Sequence, residues 1–231
     1  MYLDQLPDLS RARLIRASAR GTAIRDGDRA VAVAFVADGS LLAGDTLVRF
    51  DVARGEAPAR RLSDAFAATG ARNVWFYGGD EVLRRAAVEL DLQLRVAGGA
   101  FVRRAPAADV EAVVFRPPAQ RDRMTLPELL RDHAPGFGAP VVEVGTIDGE
   151  PAGIVAAEVL DATWTELRVF VQPALRGRKY GAALMAAAAD GIEATGRRVC
   201  AGIEGLAGRE RAMLEAAGFR LADYYFLGTK R

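Results

Sequence analysis

The sequence predicts an α/β (α+β layered) protein, in which a mixed, largely antiparallel central sheet is flanked by helices and is built twice along the chain. Short apolar runs with strand alternation are interspersed with runs of helical spacing. The pairs Asp38-Gly39 and Asp148-Gly149 each separate two strand-like runs, as the turns of β-hairpins do. The order of elements after residue 110 also recurs, in truncated form, within residues 30–104.

The first half of the chain is predicted to form a hairpin, a helix, a strand, a second helix and two short strands. The predicted bounds are 30–37 and 41–52 for the hairpin, followed by 57–69, 73–77, 80–90, 92–96 and 100–103. Gly70 ends the first of these helices, Asp80 caps the second, and Gly98-Gly99 separates the last two strands. A short amphipathic helix at residues 9–19, ended by Gly21, precedes the hairpin, although the same residues also fit a frayed arm.

The second half is predicted to contain a strand, a helix, three antiparallel strands, a helix, a strand, a helix and two closing strands. The predicted bounds are 110–115, 125–133, 141–147, 152–160, 163–171, 181–196, 198–203, 208–217, 219–221 and 224–227. Thr125 and Glu128 have the spacing of a capping box, and Gly218 is a typical helix stop. These patterns predict two domains, at residues 1–104 and 105–231.

Composition excludes several classes of protein and partner. The chain has 231 residues, 51% of them hydrophobic, and a formal net charge of +1, which gives no overall attraction to nucleic acid. Its one cysteine, Cys200, excludes an internal disulfide framework and indicates a cytoplasmic location. The first ten residues carry Asp4 and Asp8, unlike a signal peptide, and no apolar run is long enough to predict a membrane span.

A basic turn between a strand and a helix is the strongest candidate site. The strand that contains Val169 and Val171 ends at Pro173, and a helix follows Gly181. Between them the chain carries three cationic side chains and a glycine, namely Arg176, Gly177, Arg178 and Lys179. The first N–H groups of a helix attract anions, so this turn is predicted to hold phosphate. A solvated charge cluster at a helix start is the alternative interpretation.

The motif Val171-x-Pro173-x-x-Arg176-Gly177-x-x-x-Gly181, followed by an Ala-rich helix and later by Gly218-Phe219, resembles the GNAT superfamily of acyl-CoA-dependent N-acyltransferases. Lys179 stands where the family has its first glycine. The resemblance implies that acetyl-CoA or another acyl-CoA is the co-substrate, that no metal is needed, and that the strand before the turn binds the pantetheine arm where it separates from its neighbour. It assigns the cofactor to Val169, Phe170, Val171, Arg176, Gly177, Arg178, Lys179, Tyr180, Gly181 and Ala182.

The same resemblance places the thioester near Glu166 and Cys200. Glu166 is the candidate base and Tyr224 the candidate acid, with Tyr225 as its alternative, since consecutive strand residues point to opposite faces. Each residue also has a structural interpretation: Glu166 as a solvated partner of Arg168, and Cys200 as an inert core thiol. Three positions where family members often carry a tyrosine, an asparagine and a carboxylate hold Leu214, Ala207 and Gly202.

Three functions are compatible with these residues. The first is transfer of an acyl group, most simply acetyl, from coenzyme A to an amine of a small molecule or peptide. The second is a non-catalytic CoA-binding regulator or scaffold, and the third is decarboxylation of an acyl-CoA thioester on the same fold. The first half has only Arg54 and Gly55 at the corresponding turn, so we expect it not to bind the cofactor. We expect a monomer or homodimer.

Overall fold

A computed structural model of the chain describes residues 20–37, 46–107, 112–120, 122, 141–205 and 208–231. The predicted helices at 9–19 and 125–133, the Asp38-Gly39 turn and Ala207 lie outside the described residues. Two compact units divide the described chain: one comprises the residues up to Gly98 together with Asp223–Arg231, and the other lies within Gly99–Ala222. The domain boundary between residues 104 and 105 stays a prediction.

The first unit combines antiparallel strands with two helices. Its elements are β1 (Arg20–Asp26), β2 (Arg29–Ala37), β3 (Thr46–Val52), α1 (Pro58–Thr69), β4 (Asn73–Tyr77) and α2 (Glu81–Glu89), with parts of β5 (Gln93–Arg103) and β11 (Phe219–Thr229). The strands β1, β2 and β3 pair antiparallel, β3 pairs parallel with β4, and β4 pairs antiparallel with β11. The predicted order of hairpin, helix, strand and helix is confirmed.

The second unit contains the remaining elements. They are β6 (Val114–Arg116), β7 (Val141–Ile147), β8 (Glu150–Val159), β9 (Trp164–Val171), a 3₁₀ turn (Pro173–Leu175), α3 (Tyr180–Glu193), β10 (Arg198–Glu204) and α4 (Gly208–Ala216), with the rest of β5 and β11. The strand order β5-β10-β9-β8-β7-β6 follows. β6 to β9 pair antiparallel, and β9 pairs parallel with β10. The mixed, largely antiparallel sheet with flanking helices is thus confirmed.

Local sequence signals explain where several elements begin and end. Gly70 follows α1 with φ 73°, and its N–H donates to the carbonyl of Phe66 at 3.0 Å. The Asp80 carboxylate accepts from the Leu83 N–H at 2.9 Å, as an N-cap does. These two signals were predicted from the sequence and are confirmed, as is the Asp148-Gly149 turn between β7 and β8.

Three predicted boundaries are wrong, each at a glycine or a short polar step. Gly21 was predicted to end a helix but lies inside β1, which turns into β2 at Gly27. Gly98-Gly99 was predicted to separate two strands, but β5 runs through both residues, which keep negative φ. The two predicted closing strands form one, β11. Glycine is compatible with an extended strand, so it ends an element only where the backbone turns.

Each unit has one apolar core beneath its helices. In the first unit α1 and α2 cover a face of the sheet built by residues such as Leu47, Val74 and Phe76. The opposite face carries Trp75, Tyr77 and Tyr225, whose rings are 4.6–5.4 Å apart between centroids. The core of the second unit is formed mainly by the helices α3 and α4 and the strands beneath them, with the residues Leu167, Leu184, Met185, Val199, Leu214 and Phe219 among its members.

A strand–turn–helix–strand segment occurs in both units. In the first, β3, α1 and β4 follow one another, and in the second, β9, α3 and β10 do. In both, the two strands are parallel, and their ladder covers only the first residues: Thr46↔Asn73 and Leu47↔Val74 in one, Trp164 to Glu166 with Arg198 to Cys200 in the other. This shared arrangement supports the duplication, which stays a prediction.

The turn before α1 differs in charge from the turn before α3. Glu56 lies in it and accepts from Nε of the buried Arg61 at 2.9 Å. Arg61 also donates to Asp26 at 2.8 Å and Asp64 at 3.0 Å. These bonds, with Glu56 first and Asp26 and Asp64 after it, raise the pKa of Arg61. The paired Glu56 distinguishes this turn from the basic turn before α3, and the expectation that the first half does not bind the cofactor stays a prediction.

Candidate functional site

The two faces of β9 contact different parts of the second unit. Leu167, Val169 and Val171 pack on the core beneath α3, as their spacing of two residues requires. The intervening residues Glu166, Arg168 and Phe170 therefore point to the opposite face. From Thr165 to Val171 the strand pairs with β8 on one side.

On its other side, β9 is paired with β10 for only part of its length. The described ladder consists of Trp164↔Arg198, Thr165↔Val199 and Glu166↔Cys200, and it ends there, although β10 continues to Glu204. From Leu167 to Val171 the described strands show no continuation of this ladder, and we call this side of β9 its open edge. This edge rises about 17 Å from Glu166 to Val171.

Arginine side chains hold the closed end of this gap. Arg197 donates from Nε to Thr165 Oγ1 at 2.8 Å and from a terminal nitrogen to the Trp164 carbonyl at 2.8 Å. The guanidinium of Arg198 lies over the Trp164 ring, 4.1 Å from its centroid. The start of the paired segment, two residues before β9 and β10 separate, is therefore held by side chains of Trp164, Thr165, Arg197 and Arg198.

The predicted phosphate turn starts at the other end of β9. Gln172 N–H donates to the Ala152 carbonyl at 3.0 Å, and a single 3₁₀ turn, Pro173–Leu175, follows. Arg176 Nε then donates back to the Val171 carbonyl at 3.4 Å. Gly177 has φ 89°, a conformation that a side chain strains, and a Cβ there would meet nothing within 4 Å.

Lys179 is the N-cap of α3 and has φ 63° and ψ 3°, which are left-handed values. No side chain caps this helix, and the N–H groups of Ala182 and Ala183 both donate to the Lys179 carbonyl, at 3.0 and 3.3 Å. The N–H groups before Ala182 are thus the ones that an anion would meet at the start of α3. The Lys179 side chain is exposed, as are Arg176 and Arg178, so the turn is cationic at its surface.

Gly181 is close to side chains of its own unit. A Cβ at this position would lie 2.7 Å from Met213 Sδ and 3.3 Å from Val171 Cγ2. The first turn of α3 therefore packs tightly between β9 and α4, which fixes the position of the basic turn. Its neighbour Ala182 is buried in the same core, whereas Tyr180 is half-buried.

The face of β9 that carries Glu166 also carries a buried ionic group. Glu166 is 4% exposed, so its interpretation as a solvated side chain is wrong. It lies directly opposite Glu158 of β8, which is also 4% exposed. Arg168 donates to Glu158 Oε2 at 3.4 Å. Cys200, on the other side of Glu166, is buried, and its Sγ approaches the Thr165 carbonyl at 3.6 Å.

Glu158 was missed in the sequence although a signal for it exists. The Leu160 N–H donates to the Trp164 carbonyl at 3.0 Å, so the turn between β8 and β9 is centred on residue 162. Any antiparallel hairpin centred there pairs residues whose numbers add up to 324, and Glu158 and Glu166 satisfy this. The turn signal of Asp161 and its neighbours therefore predicts the register once the two strands are assigned.

The candidate acid lies in the first unit. Tyr224 is 36% exposed and Tyr225 is 1% exposed, which confirms that the two side chains point to opposite faces of one strand. The Tyr225 ring packs on Trp75, 4.6 Å between centroids, so Tyr225 is a core residue. Tyr224 as an acid stays a prediction. Leu214, at the position where family members often carry a tyrosine, is buried in the core of the second unit.

The described residues were also compared with the requirements of a metal site and of a membrane-spanning helix. Among the described residues, no group of three or more His, Cys, Asp or Glu side chains is arranged to hold a metal ion. Within the same residues, none of the helices combines the length and the apolar character that a bilayer crossing needs.

Comparison with known proteins finds a family model that matches part of the chain and solved structures with a similar fold. Residues 105–207 match the family model described as the acetyltransferase (GNAT) family. No curated protein matches the chain by sequence at a significant level.

Similar solved structures cover most of the chain at low identity. A GNAT-family acetyltransferase from Colwellia psychrerythraea has a TM-score of 0.77 at 10% identity and covers 100% of this chain and 93% of its own. A tandem GNAT protein from the clavulanic acid biosynthesis pathway has a TM-score of 0.60 at 14% identity, with coverages of 90% and 81%. A GCN5-related N-acetyltransferase from Kribbella flavida has a TM-score of 0.58 at 16% identity, with 96% of each chain covered. At these identities the likeness is one of fold.

Proposed function

We propose that the protein moves an acyl group, in the simplest case acetyl, from coenzyme A to an amine, because residues 105–207 match the family model of the GNAT acetyltransferases. One observation carries the proposal: the open edge of β9 begins at Glu166 and ends at the basic turn before α3. An extended ligand with a reactive thioester at one end and a pyrophosphate at the other matches both ends.

The cofactor contacts follow from this placement. The backbone of Val169, Phe170 and Val171 along the open edge of β9 would bind the pantetheine arm by main-chain hydrogen bonds. The pyrophosphate would lie at the start of α3, held by N–H groups and by cationic side chains. The residues in this second group are Arg176, Gly177, Arg178, Lys179, Tyr180, Gly181 and Ala182.

The thioester would then reach the point where β9 and β10 separate, beside Glu166. An amine must lose a proton to attack the carbonyl carbon, and a lysine-like amine of pKa about 10.4 is only about 0.04% neutral at pH 7. Glu166, directly or through a water molecule, accepts that proton. The tetrahedral intermediate expels the thiolate of coenzyme A, and Tyr224 is the proposed acid that protonates it. Transfer is direct, with no acyl-enzyme.

The proposal also covers the acceptor, the oligomeric state and the cellular location of the protein. The acceptor is an amine of a small molecule or peptide, since buried carboxylates at the reaction point favour a cation. We propose a cytoplasmic monomer or homodimer that uses no nucleic acid, no membrane and no metal. The location rests on the single, buried thiol of Cys200.

Thermal unfolding with and without acetyl-CoA tests the cofactor site. We expect a rise in Tm with acetyl-CoA, because a ligand that binds the folded state stabilises it. The double variant Arg176→Ala/Lys179→Ala is expected to abolish that rise. The matched control is Arg84→Ala/Arg85→Ala, which removes two exposed arginines from α2 in the first unit and is expected to keep the rise. No rise with any CoA thioester would overturn the proposal.

Binding without catalysis is the second candidate, and Leu214 favours it. The side chain is buried in the core of the second unit and cannot protonate a leaving thiolate. This candidate predicts that acetyl-CoA raises Tm but that no free coenzyme A is released with any amine. The two candidates are separated by assaying thiol release on the same protein preparation that shows the rise in Tm.

A further inference from the structure

A row of cross-strand partners in the second unit has two glycines at its centre. Phe115 of β6 is paired with Gly145 of β7, and Gly145 is paired with Gly153 of β8. Gly153 is in turn paired with Val171 of β9. A glycine inside a strand has no side chain to pack, so another part of the chain can approach the sheet closely there. We call Gly145 and Gly153 the glycine notch, and Phe115 and Val171 lie on either side of it.

The side chain of Leu184, in the first half of α3, fills the glycine notch. Leu184 is 0% exposed. A Cβ at Gly145 would overlap Leu184 Cδ2, and a Cβ at Gly153 would lie 3.1 Å from Leu184 Cδ1. The two methyl carbons of Leu184 thus occupy space that side chains of the sheet would need. α3 therefore lies closer to β7 and β8 than a side chain at either position would allow.

The same row reaches the proposed cofactor site through Val171. Val171 is the last residue of β9, and its carbonyl accepts from Arg176 Nε at 3.4 Å. Gly181 comes three residues before Leu184 on α3, and a Cβ at Gly181 would lie 3.3 Å from Val171 Cγ2. The first turn of α3 is consequently close to the end of β9 and about one turn from the notch. A shift of Leu184 would move this turn relative to the open edge of β9, because a close-packed interior transmits displacement.

We propose that the glycine notch and Leu184 are positioning residues, which set how deep α3 lies on the sheet and so place its first N–H groups beside the end of the open edge of β9. A ligand that binds this edge and the start of α3 at once requires a fixed separation between the two. The consequence for cofactor binding rests on the proposed function, but the placement of α3 does not. Core packing with no effect on ligand binding is the alternative.

Alanine at Gly145 tests the effect on binding. This position is chosen because a Cβ at Gly153 would also overlap the carbonyl oxygen of Phe170. The methyl group of Gly145→Ala can enter the core only if Leu184 moves. Calorimetric titration with acetyl-CoA, well below the Tm of the variant, is expected to give a Kd about tenfold higher or more, the effect of losing about one hydrogen bond to a charged group. An unchanged Kd in the folded variant would overturn the proposal.

Gly191→Ala is the matched control, because it adds the same methyl group to α3 itself. Gly191 is exposed, does not have a positive φ, and would place a Cβ where nothing lies within 4 Å. Alanine also favours the helix more than glycine does, so this variant is expected to fold. We expect its Kd for acetyl-CoA to equal that of the unmodified protein.

The double variant Gly145→Ala/Leu184→Val restores the space in the notch. It adds one side-chain carbon to the sheet and removes one from the helix, and such volume-conserving changes are tolerated best in a core. We expect it to recover both the Tm and the Kd of the unmodified protein. Recovery of the Tm without recovery of the Kd would show that the notch acts through packing alone, and would overturn the proposal.

Leu184→Ala changes the helix side of the same contact and keeps the test available if Gly145→Ala fails to fold. It empties the notch, so α3 is no longer held at its present depth, and the Kd for acetyl-CoA is expected to rise. A folded Leu184→Ala variant that binds acetyl-CoA as the unmodified protein does would also contradict the proposal.

A measurement without ligand distinguishes failure of this proposal from failure of the proposed function. In crystal structures, the distance between the Cα atoms of Gly181 and Val171 is expected to be longer in Gly145→Ala than in the unmodified protein. It is expected to be shorter in Leu184→Ala, where α3 settles toward the emptied notch. Equal distances would overturn the placement of α3 by the notch, whether or not acetyl-CoA binds. A missing rise in Tm with every CoA thioester would instead overturn the proposed function and leave this distance test in force.

Discussion

Lys179 takes up a backbone conformation that normally belongs to glycine. Its φ of 63° places it in the left-handed region at the N-cap of α3, where the resembling family has a glycine. A side chain in this region costs about 1 kcal/mol of conformational free energy. The exposed ammonium group adds a positive charge to the proposed pyrophosphate site, so charge is gained at a position where the backbone is strained.

Replacement of Lys179 by glycine and by alanine separates strain from charge. Both variants lose the ammonium group, so we expect both to weaken acetyl-CoA binding by the same factor. Only Lys179→Gly relieves the strain, and we expect its free energy of unfolding to exceed that of Lys179→Ala by about 1 kcal/mol. Urea denaturation and calorimetric titration with acetyl-CoA measure the two quantities. Equal stability of the two variants would contradict the left-handed assignment.

Burial is the property of the site residues that single-residue patterns predicted least well. A glutamate beside an arginine on a strand is usually solvated, yet Glu166 is 4% exposed and lies between Glu158 and Cys200 on the neighbouring strands. The basic turn was easier to predict, because its strand, proline, glycine and helix are consecutive in the sequence. Side chains that become neighbours only through strand register can be predicted to meet only after the strand pairing is known.

The connection that follows α4 depends on a glycine packed against another segment. Gly218 has φ 87°, and a Cβ there would overlap the carbonyl oxygen of Ala105. The Gly218 carbonyl accepts from the Arg104 N–H at 3.0 Å. Gly196, which follows α3, has φ 83° but open space around it. The two glycines therefore share a conformation and differ in what lies next to them.

Alanine at each glycine is expected to show this difference. Gly196→Ala should lower the free energy of unfolding by about 1 kcal/mol, because alanine is strained in the left-handed conformation. Gly218→Ala should cost a further amount of about 1–3 kcal/mol, because main chain must move to admit the methyl group. The free energy of unfolding in urea measures both. An equal loss of stability in the two variants would show that the Ala105 carbonyl moves without cost and that its contact with Gly218 does not contribute to stability.

Sequence patterns predicted local turns and caps better than the strands whose extent depends on pairing within the sheet. The hairpin turn at Asp148-Gly149, the cap at Asp80 and the stop at Gly70 are local, and all three are confirmed. The strand β1 was missed because Gly21 was taken as a stop, whereas β1 is stabilised by pairing with β2. The length of β5 likewise depends on the sheet and not on the two glycines within it.

On the scale of the whole molecule, the first unit is not a continuous segment. Residues Asp223–Arg231 belong to it, and they pair with β4 from Tyr225↔Tyr77 to Thr229↔Asn73. The Tyr225 ring lies on Trp75, which is 1% exposed. A fragment that ends at the predicted boundary lacks this strand, so β4 would become an unpaired edge and Trp75 would lose its cover.

We therefore expect fragment 1–104 not to fold cooperatively. Residues 1–98 joined to 223–231 by a Gly/Ser linker of about fifteen residues, with a reach of about 21 Å, should fold. Trp75 is the only tryptophan in either fragment, since Trp164 lies outside both, so its fluorescence reports the core. A sigmoidal urea transition and blue-shifted emission are expected for the joined fragment alone. Cooperative unfolding of fragment 1–104 would instead support a domain boundary between residues 104 and 105.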